Sequence, residues 1–292
     1  LATAPAVSAL ERQAQGAFAG GRLTLPTDGD AEAGGLPTIL LTGSGIAEAL
    51  MAGPGRPSLA PGTAPFDTGV MLAIEATYET ESVGTENVVA MVEGSDLKDE
   101  VVVISAHLDH VGTRDVAEGE DGIFNGADDD GSGTVSLLEI AEAFQAAKEA
   151  GHGPRRSVLF LHVTGEEKGL FGSEYYADVE PLVPLANTVA NLNIDMIGRH
   201  DPERGFETTD YVYIIGGDLI SQDIHDWNAA VNETSATGLL LSDRFNSPDD
   251  PNQFFRRSDH WNFGKHQVPF IFYFTGTHED YHGVGDSADK ID

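Results

Sequence analysis

The sequence predicts a mixed α/β fold in which helices flank a mostly parallel central sheet. Two observations support this prediction. Strand-like runs alternate with helix-like segments over most of the chain, and three of the runs are almost entirely apolar. Such runs are typical of strands that are covered on both faces. The three runs are VVVISAH (101–107), SVLFLHVTG (157–165) and VPFIFYFTG (268–276).

The remaining elements follow from the spacing of apolar residues. Residues 71–79 and 87–94 alternate between apolar and polar, so we expect two half-buried strands that pair antiparallel. Residues 134–151 predict a helix, because Leu137 and Phe144 share one apolar face and Gly151 is placed to end it. Further predicted elements are strands at 188–195 and 211–216, a helix at 221–236 and a short helix that ends near residue 179.

Composition divides the chain into two parts. Residues 1–66 are rich in Ala, Gly, Pro and Thr, and residues 53–65 are dense in Pro and Gly, which predicts a linker or irregular loop. We therefore expect an N-terminal segment over 1–66 and the main domain over 67–292.

Charge and composition exclude several classes of function. The 292 residues include 48 Asp and Glu against 16 Lys and Arg, a net charge of −32. Such a chain can hardly build a basic patch, so nucleic-acid binding is not expected. No apolar run reaches about 18 residues, so membrane insertion is not expected either. The absence of cysteine excludes thiolate metal sites and a cysteine nucleophile.

Polar residues follow the ends of the predicted buried strands. In open α/β sheets, ligands bind outside the carboxyl ends of the strands. The acidic loop GADDDGSG (126–133) is expected at the same edge, just before the first long helix. Imidazoles and carboxylates that converge in one crevice bind borderline cations such as Zn²⁺. The strand-end residues are His107, the pair Glu166 and Glu167, Asp195, and His282 after a short loop.

Five segments, in this order and spacing, resemble the motifs of the co-catalytic di-zinc aminopeptidases. This family includes secreted bacterial leucyl aminopeptidases and, more distantly, glutamate carboxypeptidases. The resemblance covers about residues 70–292 and implies a zinc-exopeptidase-like three-layer sandwich. Residues 36–50 resemble part of a protease-associated domain, so 1–66 is expected to be a remnant of one plus a linker. The five segments are AHLDH (106–110), NGADDDGSG (125–133), TGEEKGLFGS (164–173), NIDMIGR (193–199) and DYHGVGDSADKID (280–292).

The resemblance implies two zinc ions per chain, with Co²⁺ or Mn²⁺ as possible substitutes. His107 and Asp195 would hold one ion, and Glu167 and His282 would hold the other. Asp129, the middle residue of the aspartate triplet, would bridge the two. The resemblance further implies a cis peptide bond after Asp129.

Three further roles follow from the same resemblance. Glu166 would be the general base that activates a metal-bridging hydroxide and returns the proton to the leaving amine. Asp109 would accept the second N–H of His107 and fix its tautomer. Tyr281 matches a residue that hydrogen-bonds the oxyanion in part of the family.

The predicted activity is a zinc-dependent aminopeptidase that acts on peptides with an apolar N-terminal residue. The aromatic residues of 254–263 would pack in the core or form an apolar first subsite, for which Phe255, Trp261 and Phe263 are the candidates. A secreted or periplasmic location is implied by the family, while the oligomeric state does not follow from the sequence. In the family, a final helix follows the DKID segment, so we expect this chain to be part of a longer protein.

Other functions remain as alternatives. A carboxypeptidase or dipeptidase of the same family would use the same metal ligands. Residues 278–282 spell H-E-x-x-H, the motif of single-zinc proteases, but the glycines around it disfavour the helix which that motif requires. A related single-zinc cyclase and an inert binding ectodomain are both disfavoured, because all five ligand positions and the base are present.

Overall fold

The computed structural model describes residues 82–292, and the predicted N-terminal segment and the predicted strand at 71–79 lie outside them. Seven strands form one central sheet, and two very short strands pair separately. In chain order the strands are β1 (Val88–Val92), β2 (Leu97–His107), β3 (Gly112–Thr113), β4 (Ile123–Phe124), β5 (Arg156–Val163), β6 (Thr188–Ile194), β7 (Tyr211–Ile215), β8 (Leu240–Ser242) and β9 (Phe270–Phe274).

The helices are α1 (Gly133–Glu149), α2 (Phe171–Glu174), α3 (Gly217–Ile220), α4 (Gln222–Thr234) and α5 (His260–Gly264). Single turns of 3₁₀ geometry lie at Leu185–Asn187, Phe254–Arg256 and Ala288–Lys290, and wider turns lie at Ala127–Ser132 and Tyr175–Val179. Within residues 82–292, no helix has the length and apolar character needed to cross a lipid bilayer.

The central sheet has the order β1-β5-β2-β6-β9-β7-β8. Its inner strands β5, β2, β6 and β9 are parallel to one another. β1 is antiparallel to β5 at one edge, and β7 is antiparallel to β9 near the other. The prediction of a mixed, mostly parallel sheet is therefore confirmed.

Helices cover both faces of this sheet. On β2, Ile104 packs in a cluster with Leu137 of α1, while Val103 packs on the opposite face with Tyr176 and Phe263 of α5. Residues next to each other in a strand point to opposite faces, so these clusters are the two cores of a three-layer sandwich.

Several short elements have no counterpart among the sequence predictions. β8 and helices α3 and α5 are each five residues or fewer, which is too short for a periodic apolar pattern, whereas α2 and the turn at Tyr175–Val179 lie where a short helix ending near residue 179 is predicted. The last strand, β9, covers only the centre of its predicted range, because the chain leaves the sheet after Phe274.

The parallel strands direct their carboxyl ends to one edge of the sheet. β2 ends at His107, β5 ends three residues before Glu166, and β6 ends immediately before Asp195. The turn at Ala127–Ser132 leads into α1, which packs against β2. The fold thus brings the predicted ligand segments to a common place.

Packing of α1 onto the sheet can be tested with two adjacent leucines. Leu137 is completely buried, whereas Leu138 is 58% exposed. We expect Leu137→Ala to lower the free energy of unfolding by about 2–5 kcal/mol, because it leaves a cavity in the core. Leu138→Ala is the matched control and should change it by less than about 0.5 kcal/mol. Chemical denaturation measures both, and equal effects would contradict this packing.

Candidate metal centre

The structure brings the five predicted metal ligands together. The Nε2 atom of His107 lies 3.2 Å from Oδ1 of Asp129 and 3.7 Å from Oδ1 of Asp195. The Nε2 atom of His282 lies 3.2 Å from Oδ2 of Asp129 and 3.0 Å from Oε2 of Glu167. Asp129 therefore presents one oxygen to each histidine, which is the arrangement of a bridging carboxylate between two cation positions.

Two groups of ligand atoms can be distinguished by distance. The first contains His107, Glu166 and Asp195, and the second contains His110, Asp129 and Glu167, with the atoms of each group within 4.8 Å of one another. Sequence reasoning missed His110, although it lies in the AHLDH segment only three residues after His107.

Charge and burial favour cation binding at this centre. Burial opposes ionisation of Asp129, but its contacts with His107 and His282 outweigh burial and hold its pKa well below the usual range. Burial likewise opposes the charged form of His107, but the neighbouring Asp195 outweighs it and raises the pKa of the imidazole. The carboxylates of Asp129 and Asp195 thus favour a positively charged group at this centre.

Several buried ligand atoms also lack ordinary partners. Within residues 82–292, Nε2 of His107, Oδ2 of Asp129 and Oε1 of Glu167 are buried without a well-formed hydrogen bond. Buried polar atoms are normally hydrogen-bonded or bound to metal. Imidazole nitrogens and carboxylate oxygens are the ligands of Zn²⁺ and similar ions, so the side chains present fit the implied metals.

The two outer aspartates of the triplet hold the loop in place. Oδ2 of Asp130 accepts a hydrogen bond from the backbone N–H of His107 at 3.0 Å. Its Oδ1 accepts from the N–H of Gly133 at 3.0 Å and of Met196 at 3.2 Å. Asp130 thereby connects β2, the start of α1 and the segment after β6. The peptide bond between Asp129 and Asp130 is cis, as the resemblance implies.

Asp286, near the end of the sequence, forms hydrogen bonds to the backbone of the aspartate triplet. Its carboxylate is fully buried and accepts hydrogen bonds from the N–H groups of Asp128 at 3.0 Å and Asp129 at 3.1 Å. Asp128 in turn accepts from the N–H of Gly198 at 2.6 Å. Sequence reasoning assigned no role to Asp286, although it lies in the last of the five motifs.

Asp109 has different contacts from those expected. His107 Nδ1 lies 2.9 Å from the main-chain oxygen of Asp109 but 3.9 Å from its carboxylate oxygen. The carboxylate instead accepts hydrogen bonds from the backbone N–H groups of Glu166 at 3.1 Å and Glu167 at 3.3 Å. Asp109 therefore meets the second nitrogen of His107 as expected, but through its main-chain oxygen and not its side chain, because the short turn after β2 places that oxygen at the imidazole.

A cavity of about 310 Å³ opens onto the centre. Glu166 faces it, and burial raises the pKa of its carboxyl well above the ordinary range. The proposed apolar candidates Phe255, Trp261 and Phe263 do not line it; Phe255 and Phe263 are packed in the core instead. The cavity's apolar wall consists of Leu170, Met196, Phe254, Phe272 and Phe274.

Tyr281 lies at the wall of this cavity. Its ring stacks on the ring of His282 with centroids 3.9 Å apart, and its hydroxyl accepts a hydrogen bond from Arg257 at 3.1 Å. Burial and the neighbouring Asp129 raise the pKa of Tyr281, so its hydroxyl stays protonated and can donate a hydrogen bond.

The H-E-x-x-H segment is not helical. Residues 278–282 form turns, and the Glu279 side chain is 75% exposed. His278 points to a different partner from His282, with its Nε2 3.2 Å from Oδ2 of Asp128 and its Nδ1 2.9 Å from Arg199. The two histidines therefore do not share a helix face as the single-zinc motif requires.

Known proteins share both the sequence and the fold. Residues 87–292 match the sequence profile described as Peptidase family M28. A probable zinc metalloprotease of Pyrenophora tritici-repentis is 37% identical over 123 residues, which is 41% of this chain and 23% of that protein. Leucine aminopeptidase 2 of Arthroderma otae is 26% identical over 246 residues, which is 76% of this chain and 44% of that protein. The chain thus spans less than half the length of these relatives.

Solved structures show the same fold. The zinc aminopeptidase BSAP from Bacillus subtilis superposes with a TM-score of 0.54 at 22% identity, over 70% of this chain and 45% of that one. The glutaminyl cyclase of Porphyromonas gingivalis gives a TM-score of 0.53 at 19% identity, over 70% of this chain and 71% of that one. Because the sequence profile covers more than half of the chain, the chain belongs to peptidase family M28.

Proposed function

We propose that this chain is the catalytic part of a two-zinc exopeptidase, and that it acts as an aminopeptidase on peptides with an apolar N-terminal residue. The single observation that supports this most strongly is Asp129, whose two oxygens contact His107 and His282 separately. Aminopeptidases among the relatives support the type of reaction. A secreted or periplasmic location, which we also propose, is supported by the resemblance to secreted bacterial leucyl aminopeptidases.

Each side chain then has a defined task. His107 and Asp195 would hold one zinc ion, Glu167 and His282 would hold the other, and Asp129 would be shared between them. Bound zinc lowers the pKa of water to near 7 and polarises a carbonyl group.

Glu166 moves the proton. Its carboxyl lies beside the ligands of the first group and faces the cavity, where it takes a proton from the attacking water and returns it to the leaving amine. The Asp109 carboxylate holds the backbone of Glu166 and Glu167, so that one turn presents a base and a ligand in adjacent positions. Asp109 is therefore a positioning residue in this proposal.

Tyr281 and the apolar wall act on the substrate. The protonated Tyr281 hydroxyl, held by Arg257, donates a hydrogen bond to the oxyanion that develops at the scissile carbonyl. Phe254, Phe272 and Phe274 accept an apolar side chain next to the centre.

A second candidate, a carboxypeptidase or dipeptidase, is favoured by one specific observation. Arg256 and Arg257 both line the cavity of a chain that has only 16 basic residues. Within residues 82–292 neither forms an ion pair, and Arg256 instead stacks over Phe255 and Trp261 at 4.7 and 5.1 Å. A free guanidinium at a cavity wall is suited to a carboxylate, such as the C-terminus of a short peptide.

Metal content tests the two-ion centre. We expect about two zinc ions per chain after purification, and we expect chelation to abolish peptide hydrolysis and zinc or cobalt to restore it, because both sites supply the reaction's charge stabilisation. Elemental analysis of the intact protein measures the stoichiometry. A single ion would favour a cyclase-like or single-zinc centre, and activity that survives complete chelation would refute a metallopeptidase.

Two glutamate variants test the general base. Glu166→Gln should lower kcat by about 10²–10⁴-fold, because the amide cannot accept the proton. It should leave both metal ions bound. Glu279→Gln is the matched control, since that side chain is 75% exposed and away from the centre, and it should retain normal activity. The opposite pattern, with Glu279→Gln inactive, would support the H-E-x-x-H alternative instead.

Blocked peptides distinguish the two candidate functions. We expect Leu-Leu-Leu amide to be cleaved and N-acetyl-Leu-Leu-Leu to resist cleavage, as an aminopeptidase requires a free amine. The reverse result would assign a carboxypeptidase, and hydrolysis confined to free dipeptides would assign a dipeptidase. If the arginines bind a terminal carboxylate, Arg256→Gln should raise KM about 10–150-fold for free dipeptides, by the loss of about 1.5–3 kcal/mol, and leave amidated peptides unchanged. Steady-state kinetics on the amidated peptide, the acetylated peptide and free dipeptides measure this.

A further inference from the structure

A third histidine lies in the metal centre. The side chain of His110 is only 7% exposed, and its Nδ1 lies 2.8 Å from Oε1 of Glu167 and 3.8 Å from Oδ2 of Asp129. Its ring meets the ring of His282 edge-on, with centroids 5.7 Å apart and an angle of 70° between the planes. His110 is thus surrounded by the residues proposed to hold the second ion.

The short contact between His110 and Glu167 is not a well-formed hydrogen bond. Within residues 82–292, Nδ1 and Nε2 of His110 and Oε1 of Glu167 are all buried without a partner of acceptable geometry. A cation between His110, Asp129 and Glu167 would satisfy these atoms together, because the three groups already meet within 4.8 Å.

The loop before the aspartate triplet leaves room for this imidazole. Gly126 has a φ of +61°, and a Cβ atom there would approach Cγ of His110 to 2.5 Å and its Cβ to 2.8 Å. A larger residue would push the ring away from the centre. Gly126 therefore leaves room for the His110 ring as well as for the main-chain oxygen of Asp129, which such a Cβ would meet first.

We propose that His110 is a ligand of the metal ion held by Glu167 and His282, and that it binds through Nδ1. This inference rests on the proposed function, because it assigns one more residue to the same centre. The second ion then has two imidazoles and the oxygens of Glu167 and Asp129, while the first has one imidazole, from His107. A site with two imidazoles favours zinc or cobalt over manganese or magnesium, so the second position is the more selective of the two.

Metal binding, measured apart from catalysis, tests the proposal. The variants are His110→Ala and His110→Asn, with His152→Ala as the control, because His152 is an exposed histidine outside the centre. Titration of the chelated protein with zinc is followed by calorimetry, and the cobalt-loaded protein by its visible absorption spectrum. We expect the affinity of one of the two ions to fall about 10–100-fold in both variants, with the other ion unaffected and the cobalt spectrum changed.

The outcomes separate the possibilities. If both affinities stay within twofold of the unmodified protein and the cobalt spectrum is unchanged in His110→Asn, the proposal is overturned and His110 only packs against Glu167. Circular dichroism and thermal unfolding identify a variant that has lost its fold; the comparison then depends on the variant that remains folded. A protein that binds two ions with the expected His110 effect but hydrolyses no peptide would refute the proposed function and leave this assignment standing. An unmodified protein that binds no second ion would refute both.

Discussion

The centre depends on a concentration of negative charge that the protein itself does not neutralise. Asp129, Glu166, Glu167 and Asp195 meet at one edge of the sheet, where the imidazoles of His107 and His282 contact them and the Ser258 hydroxyl donates a hydrogen bond to Asp195 at 2.7 Å. Carboxylates at this separation in a poorly solvated place repel one another, which is why burial and mutual repulsion raise the pKa of Asp195 and Glu166. Bound cations remove this repulsion, so the fold and the metal ions are expected to stabilise each other.

A layer of buried carboxylates keeps the ligands in position. Asp130 and Asp286 accept backbone N–H groups around the bridging residue, and Asp109 accepts those of the Glu166–Glu167 turn. Each of these bonds joins segments distant in the chain: Asp286 lies 157 residues from Asp129. A ligand set held by hydrogen bonds to the backbone is pre-organised, which is what the proposed two-ion site requires.

The cavity next to the centre combines three kinds of surface. Its lining includes acidic ligands, phenylalanines from β9 and the Phe254–Arg256 turn, and two arginines next to that turn, of which Arg257 stacks over Phe254 at 4.8 Å. The apolar wall is suited to a side chain, and the arginines are suited to an anionic group of the substrate. In the proposed function, the way these surfaces share one peptide decides which end of it is cleaved.

Much of the fold and of the centre could be predicted without coordinates. Apolar runs determined the inner strands, because a strand covered on both faces excludes polar residues, and parallel strands necessarily bring His107, Glu167 and Asp195 to one edge. Family membership could be predicted because the motifs occur along the chain in the order typical of the family. The three-residue strand β8 and helices α3 and α5 could not be predicted, because so few residues do not show a periodic apolar pattern.

Only the tertiary structure decided which neighbouring groups join that centre. His110 and Asp286 carry no distinguishing pattern in the sequence, and their positions depend on how loops close over the sheet edge. The same holds for Asp109, whose main chain rather than its carboxylate meets His107, and for Phe254, which lines the cavity in place of Phe255. The sequence determined which residue types reach the sheet edge, because strand ends are set by apolar patterns along the chain. The direction of each side chain there was decided by loop geometry, which depends on contacts between segments more than a hundred residues apart.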